Sequence, residues 1–535
     1  MAYSLERAKC PEEVGVDSKE IVEFFEDMKE NKLDFHSFMV LRGGKVACEF
    51  YRAPFSAGTP HQVYSVSKSF TATAVGFALE AGLFTLDTKL IEIFPEYDDP
   101  TDERLQALTV RHLVSMTSGK NIDVLADKAK VDWVELFFKS GWYGDPGTFR
   151  YVNENFYMLC AAIVRTAGMS VREFLTPRLF EPLGMDVPYW ETDQNGVEAG
   201  GWGLFIKLED LAKLMLCYAH GGKLGDRQVL PPSWAQEAPA AHADNSTCIP
   251  LDAVQGYCYG FWRCGGDPDS YRADGMFSQF GIVFEKEDAI VISFGGIADE
   301  QSARDCIWRH FPKAFIEPDK KAKTAAVPDF DALADRYPLD EAVNSTHPLR
   351  EAVLNNNTAV FRKKLLLNLI GYPVSMVPLS VNYMDIRRGG NITDVNFTFR
   401  DDECQLSWSE NGERNTVLCG MNGRLKYGEM TLCGRTYTVC CSARWDDDAL
   451  IVDVRPVSTV AKRRLTFRFR GDKNVLMKPS SSPCLEDVAD SLFTSFEEII
   501  HVKPLVDFLR RFEPLVPMIV EPTHHGRLVP RKGSD

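Results

Sequence analysis

The sequence is short of several things. No stretch of its 535 residues approaches the about 18 uninterrupted apolar residues that cross a bilayer, and the N-terminal MAYSLERAKCPEEVGVDSKE has no apolar core after its first charges. Neither secretion nor membrane insertion is expected, so the predicted location is cytoplasmic. Positive charge is scarce as well: 60 Lys plus Arg against 76 Asp plus Glu leave a formal net charge of −16, which argues against nucleic-acid partners. There is no C-x-x-C, no H-E-x-x-H and no Walker-type loop, so neither metal nor nucleotide chemistry is signalled. The 14 cysteines are scattered without recurring spacing and read as reduced thiols rather than a disulfide framework. The adjacent pair Cys440-Cys441 would point to opposite faces of a strand, an arrangement poorly suited to one shared metal.

What remains is the composition of an ordinary globular protein, 45% hydrophobic and 25% charged, long enough for roughly two to four domains. A helix opened by Asp17-Ser18 is followed by FHSFMVLRGGKVACEFY, whose alternation around Gly43-Gly44 predicts a hairpin. A helix begins near Ser65 and breaks near Gly82, and the pattern stays mostly helical to about residue 250. Strand-like runs follow at 256–264, 276–284 and 288–296, then a helix candidate from Gln301 to Phe311. This order predicts an α+β domain over residues 1–315: one antiparallel sheet with strands from both ends of the segment, flanked by helices, with an all-helical insertion and a cleft between them. Residues 316–345, containing EPDKKAKTAAVPDF, read as a linker before a short helical stretch near Phe361 to Leu369. Alternating runs such as VNFTF, RTYTVCCSARW and RLTFRF predict a second, all-β domain over 346–512, barrel or sandwich, with a helix from Leu485 to Phe512 and a tail over 513–535.

Chemistry concentrates in two short patterns. In Ser65-Val66-Ser67-Lys68, a helix start puts residues three apart on one face, so the Lys68 amine can stand beside the Ser65 hydroxyl. A serine is a poor nucleophile until a base takes its proton, and a partly buried lysine can do so. The second pattern, Tyr151-Val152-Asn153, follows the turn Asp145-Pro146-Gly147-Thr148. A tyrosine near a lysine ammonium has its phenolate favoured and can serve as general base and then acid, while Asn153 can bond Lys68 and a substrate carbonyl.

These patterns stand within longer ones. YSVSKSFTATAVGFALEAGLFTLD, LTVRHLVSMTSG, PGTFRYVNENFYMLCAAIVRTAG, GGWGLFIKLEDLAKLMLCYAHGGKL and YRADGMFSQFGIVF, in that order, resemble the serine β-lactamase-like family of penicillin-recognising hydrolases. The likeness is nearest to its class C branch, which also holds carboxylesterases, D-amino-acid peptidases, amidases and nylon-oligomer hydrolases, and it covers about residues 10–315. The resemblance implies Ser65 as acylated nucleophile, Lys68 as its activating partner, Tyr151 as the residue exchanging protons with nucleophile and leaving group, and Asn153 as the group orienting Lys68 and substrate. It implies acyl transfer through a covalent Ser65 ester, with no metal and no organic cofactor.

One motif departs from the family. Its third motif, Lys or His, then a small residue, then Gly, aligns with Ala273-Asp274-Gly275: the glycine is kept and the cation is missing. In relatives that cation helps hold a substrate carboxylate, worth about 1.5–3 kcal/mol. Without it, and with Asp274 repelling carboxylates if it faces the cleft, small uncharged esters or amides become the expected substrates, ahead of β-lactams and D-peptides. His220-Gly221-Gly222 also fits the pattern but follows a helix and reads as its terminating turn. The oxyanion hole is expected from the backbone N–H groups of Ser65 and Met276, the latter where the edge strand begins, with Gly275 allowing close substrate approach. Trp142, Trp202 and Trp262 are expected in the core, with an aromatic pocket as the alternative.

The β-rich segment resembles the accessory domains, some lipocalin-like, appended to some members of this family; the expected roles are covering the cleft, restricting substrate size or mediating a homo-oligomer, with a purely structural appendage as the alternative. A catalytically silent binding module is the rival reading; the missing cation favours it, while the presence of Ser65, Lys68, Tyr151 and Asn153 together opposes it.

Overall fold

The computed structural model describes residues 4–122, 132–246, 251–319, 346–361, 375–378, 381, 392–422, 424–432, 434–484 and 521–531. The chain divides into two compact units, Met1–Arg336 and Tyr337–Asp535.

The first unit is built on a seven-stranded sheet. Its strands are β1 (Glu6–Arg7), β2 (Phe35–Arg42), β3 (Lys45–Tyr51), β4 (Trp262–Arg263), β5 (Tyr271–Gly275), β6 (Gln279–Phe284) and β7 (Ala289–Gly295), in the order β1-β3-β2-β7-β6-β5-β4. All neighbours are antiparallel except β1 and β3. As expected, β2 and β3 form a hairpin, with Gly43 and Gly44 both at positive φ, the backbone that suits a tight hairpin turn. Helix α1 (Ser18–Glu30) is capped by the Asp17 side chain, which accepts from the Lys19 N–H. Its Phe24 and Phe25 pack against Phe38 and Phe50 of the sheet, with ring centroids 4.7 Å apart in each pair. Helix α5 (Glu300–His310), which follows the last strand of the sheet, joins α1 in the same apolar cluster through Ala303 and Ile307.

The segment between β3 and β4 carries α2 (Ser67–Glu80), α3 (Asn153–Ala167) and α4 (Leu208–Ala219), but it is not the all-helical insertion expected: His61–Gln62, Leu204–Ile206 and Tyr189–Trp190 pair in a small sheet, and two further pairs of two-residue strands interrupt the helices. Helix α2 is buried along almost its whole length, including its hydroxyl residues. Those hydroxyls are satisfied by neighbours: Ser69 donates to the Gly260 carbonyl at 2.7 Å and Thr71 to the Gly200 carbonyl at 2.9 Å. Met215 of α4 fits against Gly281 of β6, where a Cβ would lie 2.9 Å from its Cγ. The turn after α4 is the one the sequence suggests, with Gly221 and Gly222 at positive φ and the Gly222 N–H on the Cys217 carbonyl.

Three expectations for this sheet change. Of the run read as a strand over 256–264, only Trp262–Arg263 is one. Tyr271–Gly275 is a strand in its own right, and the run read as a strand from residue 276 starts at Gln279. Met276 therefore lies in the turn after β5, not at the start of an edge strand. The reason is local: Phe277 and Ser278 are both at positive φ, which ends the extended backbone, and Phe277 turns inward against Tyr64, ring centroids 5.3 Å apart.

The second unit is a closed barrel, choosing between the two all-β forms expected. Its strands are β8 (Asn357–Phe361), β9 (Asp394–Arg400), β10 (Glu403–Glu410), β11 (Glu413–Met421), β12 (Lys426–Leu432), β13 (Arg435–Asp446), β14 (Ala449–Pro456), β15 (Lys462–Arg470), β16 (Asn474–Ser482) and β17 (His524–Pro530). The order β11-β10-β9-β8-β17-β16-β15-β14-β13 closes on itself where Gly420 and Met421 pair in parallel with Ser442 and Ala443, leaving β12 as an arm on β13. Along β15, Leu465 and Phe467 point inward, and Phe467 meets Phe397 edge to face at 4.9 Å. Trp408 and Trp445 help fill the interior.

Two sequence readings are corrected here. The helix expected from Phe361 begins instead in a strand, since Asn357–Phe361 pairs with β9 and β17; residues 362–369 lie outside the described residues. The expected tail contains β17, which supplies the ring's link between β8 and β16. The helix expected over 485–512, and the linker from residue 320 to 345, lie outside the described residues. The eleven described cysteines from Cys10 to Cys441 are free thiols, and no described helix is long and apolar enough to cross a membrane.

Candidate active site

Ser65 sits in a single 3-10 turn, Tyr64–Val66, that runs directly into α2. Tyr64 is held at φ +45, an uncommon backbone for a bulky residue, so the turn that presents Ser65 is locally strained. Surrounding bonds fix it: the Ser67 hydroxyl donates to the Tyr64 carbonyl at 2.5 Å and accepts from the Leu204 N–H at 3.2 Å.

Lys68 lies one helical turn on and is 2% exposed. Its Nζ is 2.9 Å from Ser65 Oγ, 2.7 Å from Asn153 Oδ1 and 2.6 Å from the Gly201 carbonyl oxygen. Burial pulls its pKa down to about 7, against the opposing influence of the carboxylates of Glu154 and Asp274. The donor count then has a consequence. A neutral amine has two N–H donors and one lone pair; Asn153 Oδ1 and the Gly201 carbonyl can only accept, so they take the two donors and leave the lone pair for the Ser65 hydroxyl proton. That is the arrangement of a base beside its nucleophile.

Tyr151 and Asn153 converge on the same amine, as their spacing suggests. Asn153 is the first residue of α3, while Tyr151 precedes the helix and presents its ring face, with Lys68 Nζ 4.7 Å from the centroid. Trp262 stacks on Tyr151 at 5.4 Å and Tyr257 meets it edge-on at 6.1 Å. Of the three tryptophans, only Trp262 therefore contacts a site residue. Trp202 is core, against Trp133 at 5.6 Å, and Trp142 sits over Lys120, whose Nζ is 4.0 Å from its ring.

The third-motif strand lies against the serine turn. A Cβ on Gly275 would stand 2.3 Å from the Val63 carbonyl oxygen and 3.2 Å from Val66 Cγ2, so a glycine is required for β5 to approach this turn. Ala273 is fully buried, and Asp274 is bonded by Arg272 Nε at 2.6 Å and approached by the Arg304 guanidinium at 3.6 Å. Met276 follows in the turn, where Gln279 Nε2 donates to the carbonyls of Met276, Phe277 and Gly295 at 3.1, 2.9 and 2.8 Å.

Two contributors escaped the sequence reading. Gly201 acts through its carbonyl, and its signal was the GGWG run, a loop so close to α3 that a Cβ on Gly201 would stand 2.6 Å from the Asn153 carbonyl oxygen. Gln279 was visible only as a polar residue in an apolar run. Among the described residues, one group could hold a metal: Asp27, Cys306 and His310 on α1 and α5, with ligand atoms within 4.8 Å of one another. These atoms already bond each other, with Arg309 on Asp27 at 2.8 Å and Glu20 on His310 at 2.8 Å, which makes them part of the helix packing.

The beta-lactamase family profile matches residues 25–297, just over half of the chain. The chain belongs to the beta-lactamase family. Within the family's curated members, the 6-aminohexanoate-dimer hydrolase of Paenarthrobacter ureafaciens is 27% identical over 296 residues, 49% of this chain and 73% of that protein. A beta-lactamase of Escherichia coli K12 is 28% identical over 155 residues, 28% of this chain and 40% of its own length. Among solved structures, a putative 6-aminohexanoate-dimer hydrolase from Bacillus anthracis matches with a TM-score of 0.49 at 17% identity, over 58% of this chain and 87% of that one. Family members are hydrolases, among them amidases, esterases and beta-lactamases.

Proposed function

We propose that the protein is a serine hydrolase that cleaves a small ester or amide by acyl transfer through Ser65. The observation that carries this reading is the Lys68 amine, buried, drawn down to about 7 and bonded to two pure acceptors and the Ser65 hydroxyl. Lys68 takes the Ser65 proton as Oγ attacks the carbonyl carbon, and the backbone N–H groups of Ser65 and Met276 receive the oxyanion. Tyr151 gives its phenol proton to the leaving group and is reprotonated from Lys68. A water then repeats the sequence in reverse and releases the acid, with no cofactor. An ester is the first expectation because Ala273 removes the usual carboxylate anchor. The amide reading stays beside it because of the Paenarthrobacter relative, named as the hydrolase of 6-aminohexanoate dimer.

The test is covalent labelling with a fluorophosphonate, read by intact mass. One adduct on the native protein and none on Ser65→Ala is expected. An unlabelled native protein would overturn the reading in favour of a silent binding module.

A further inference from the structure

The position that carries a cation elsewhere in the family is not merely vacant of positive charge here. Two arginines stand beside it, and both are already committed. Arg272 bonds Asp274 at 2.6 Å, the carbonyls of Arg263 and Asp252 at 3.1 Å each, and approaches the Asp252 carboxylate at 3.7 Å. Arg304 approaches Asp252 at 3.7 Å, Asp274 at 3.6 Å and Glu300 at 3.5 Å. Three carboxylates thus share two guanidiniums, so neither arginine is available to anchor a substrate carboxylate.

Asp274 stands at the reacting end of this network. Residues Ala273, Asp274 and Gly275 pair with β6 on one side, while β4 reaches only Tyr271 and Arg272 on the other. The strand edge beside the serine turn is therefore open where Asp274 sits. The Arg272 hydrogen bond falls on its Oδ2, as does the 3.6 Å approach of Arg304, while Oδ1 accepts no hydrogen bond among the described residues, and the side chain is 13% exposed. Its charge reaches the chemistry: Asp274 and Glu154 are the charged groups acting on Lys68, both negative, and Asp274 also acts on the Tyr257 hydroxyl. On the other side, Glu300 accepts the N–H of Phe277 at 2.8 Å, holding a second carboxyl against the turn that contains Met276.

We infer that Asp274 is a specificity-determining residue that reverses the family's usual charge preference, so that the site accepts esters or amides bearing an ammonium group near the reacting carbonyl and rejects those bearing a carboxylate. This rests on the serine-hydrolase reading above. An ammonium lying along the open edge of β5 gains a charge-assisted bond to the spare oxygen of Asp274; a carboxylate there meets like charge that no cation offsets.

The test uses three fluorophosphonates of equal length ending in dimethylammonium, which keeps an N–H donor, methyl or carboxylate, with Ser65 labelling rates read by intact mass. On the native protein the expected order is ammonium, neutral, carboxylate, with about tenfold or more between first and last at low salt, narrowing as salt screens the field. Asp274→Asn brings the three within about threefold of one another, while Asp274→Glu, which keeps the charge, keeps the order. Equal rates on the native protein, a faster carboxylate probe, or an order unchanged in Asp274→Asn would overturn the inference. If Asp274→Asn does not fold, Asp274→Glu and the salt series on the native protein carry the test. Absence of any adduct, even from the methyl probe, would instead fail the underlying hydrolase reading and this inference with it.

Discussion

In the N-terminal unit, strand β5 has a neighbour along its whole length on one side but only at Tyr271 and Arg272 on the other, whereas every ring strand of the C-terminal barrel has two neighbours. The open stretch is Ala273–Gly275, and it lies against the turn carrying Ser65. An unpaired edge is normally a liability, because it offers backbone donors and acceptors to any passing strand. In the reaction proposed for Ser65 the same property gives a substrate carbonyl a place to meet backbone N–H groups. A closed ring has no such place, and its interior is filled by Trp408, Trp445, Phe397 and Phe467. The difference teaches that chemistry in this molecule follows the incomplete sheet and packing follows the complete one.

That contrast can be broken at its strongest point first. Gly275→Ala puts a Cβ 2.3 Å from the Val63 carbonyl oxygen and must push β5 off the serine turn by about an ångström, with an expected loss of about a hundredfold or more in Ser65 labelling rate. A labelling rate within twofold of native would show that the edge does not matter. In the barrel the expected cost is to stability: Phe467→Ala, removing a buried ring packed on Phe397, destabilises by about 3–5 kcal/mol, read as a lowered denaturation midpoint of the barrel transition. The pH response is the most gradual effect. With the Lys68 amine at about 7, the labelling rate rises about tenfold per pH unit below that value and levels off above it. The linked stability has the same sign: between about 7 and the ordinary lysine value of 10.5 the unfolded chain holds the proton that folded Lys68 has lost, so this group makes stability rise with pH across that window. A labelling rate flat from pH 5 to 9 would remove Lys68 as the base.

Much of this was legible from the amino-acid order, and the reasons differ residue by residue. The roles proposed for Ser65, Lys68, Tyr151 and Asn153 rest on side chains at short spacings, and the structure brings all four together. Gly201 acts through a carbonyl, which every residue has, so composition could not distinguish it. The pairing of Asp274 with Arg304 joins a strand to a helix that follows two strands later, a contact no local pattern encodes. Gly275 was expected to let substrate approach closely; what the sequence did not show is that its missing Cβ also leaves room for the Val63 carbonyl. Met276 was assigned to a strand because MFSQFGIVF alternates, yet two consecutive left-handed residues turn that run into a hairpin. The barrel followed from its alternation, but β17 did not, because His524–Pro530 stands apart from the other strands and is flanked by prolines.

The placement of β17 also bears on how the protein is made. Because it pairs with β8 on one side and β16 on the other, the ring stays open during synthesis until residue 530 has emerged from the ribosome. Until then two strands that will face each other across β17 are bare, and each is a template for pairing with a neighbouring nascent chain. The seven-stranded sheet has no such wait, since its last strand ends at Gly295. The half that holds Ser65 and Lys68 can therefore be assembled while the other half is still exposed, and the interval most vulnerable to aggregation belongs to the barrel.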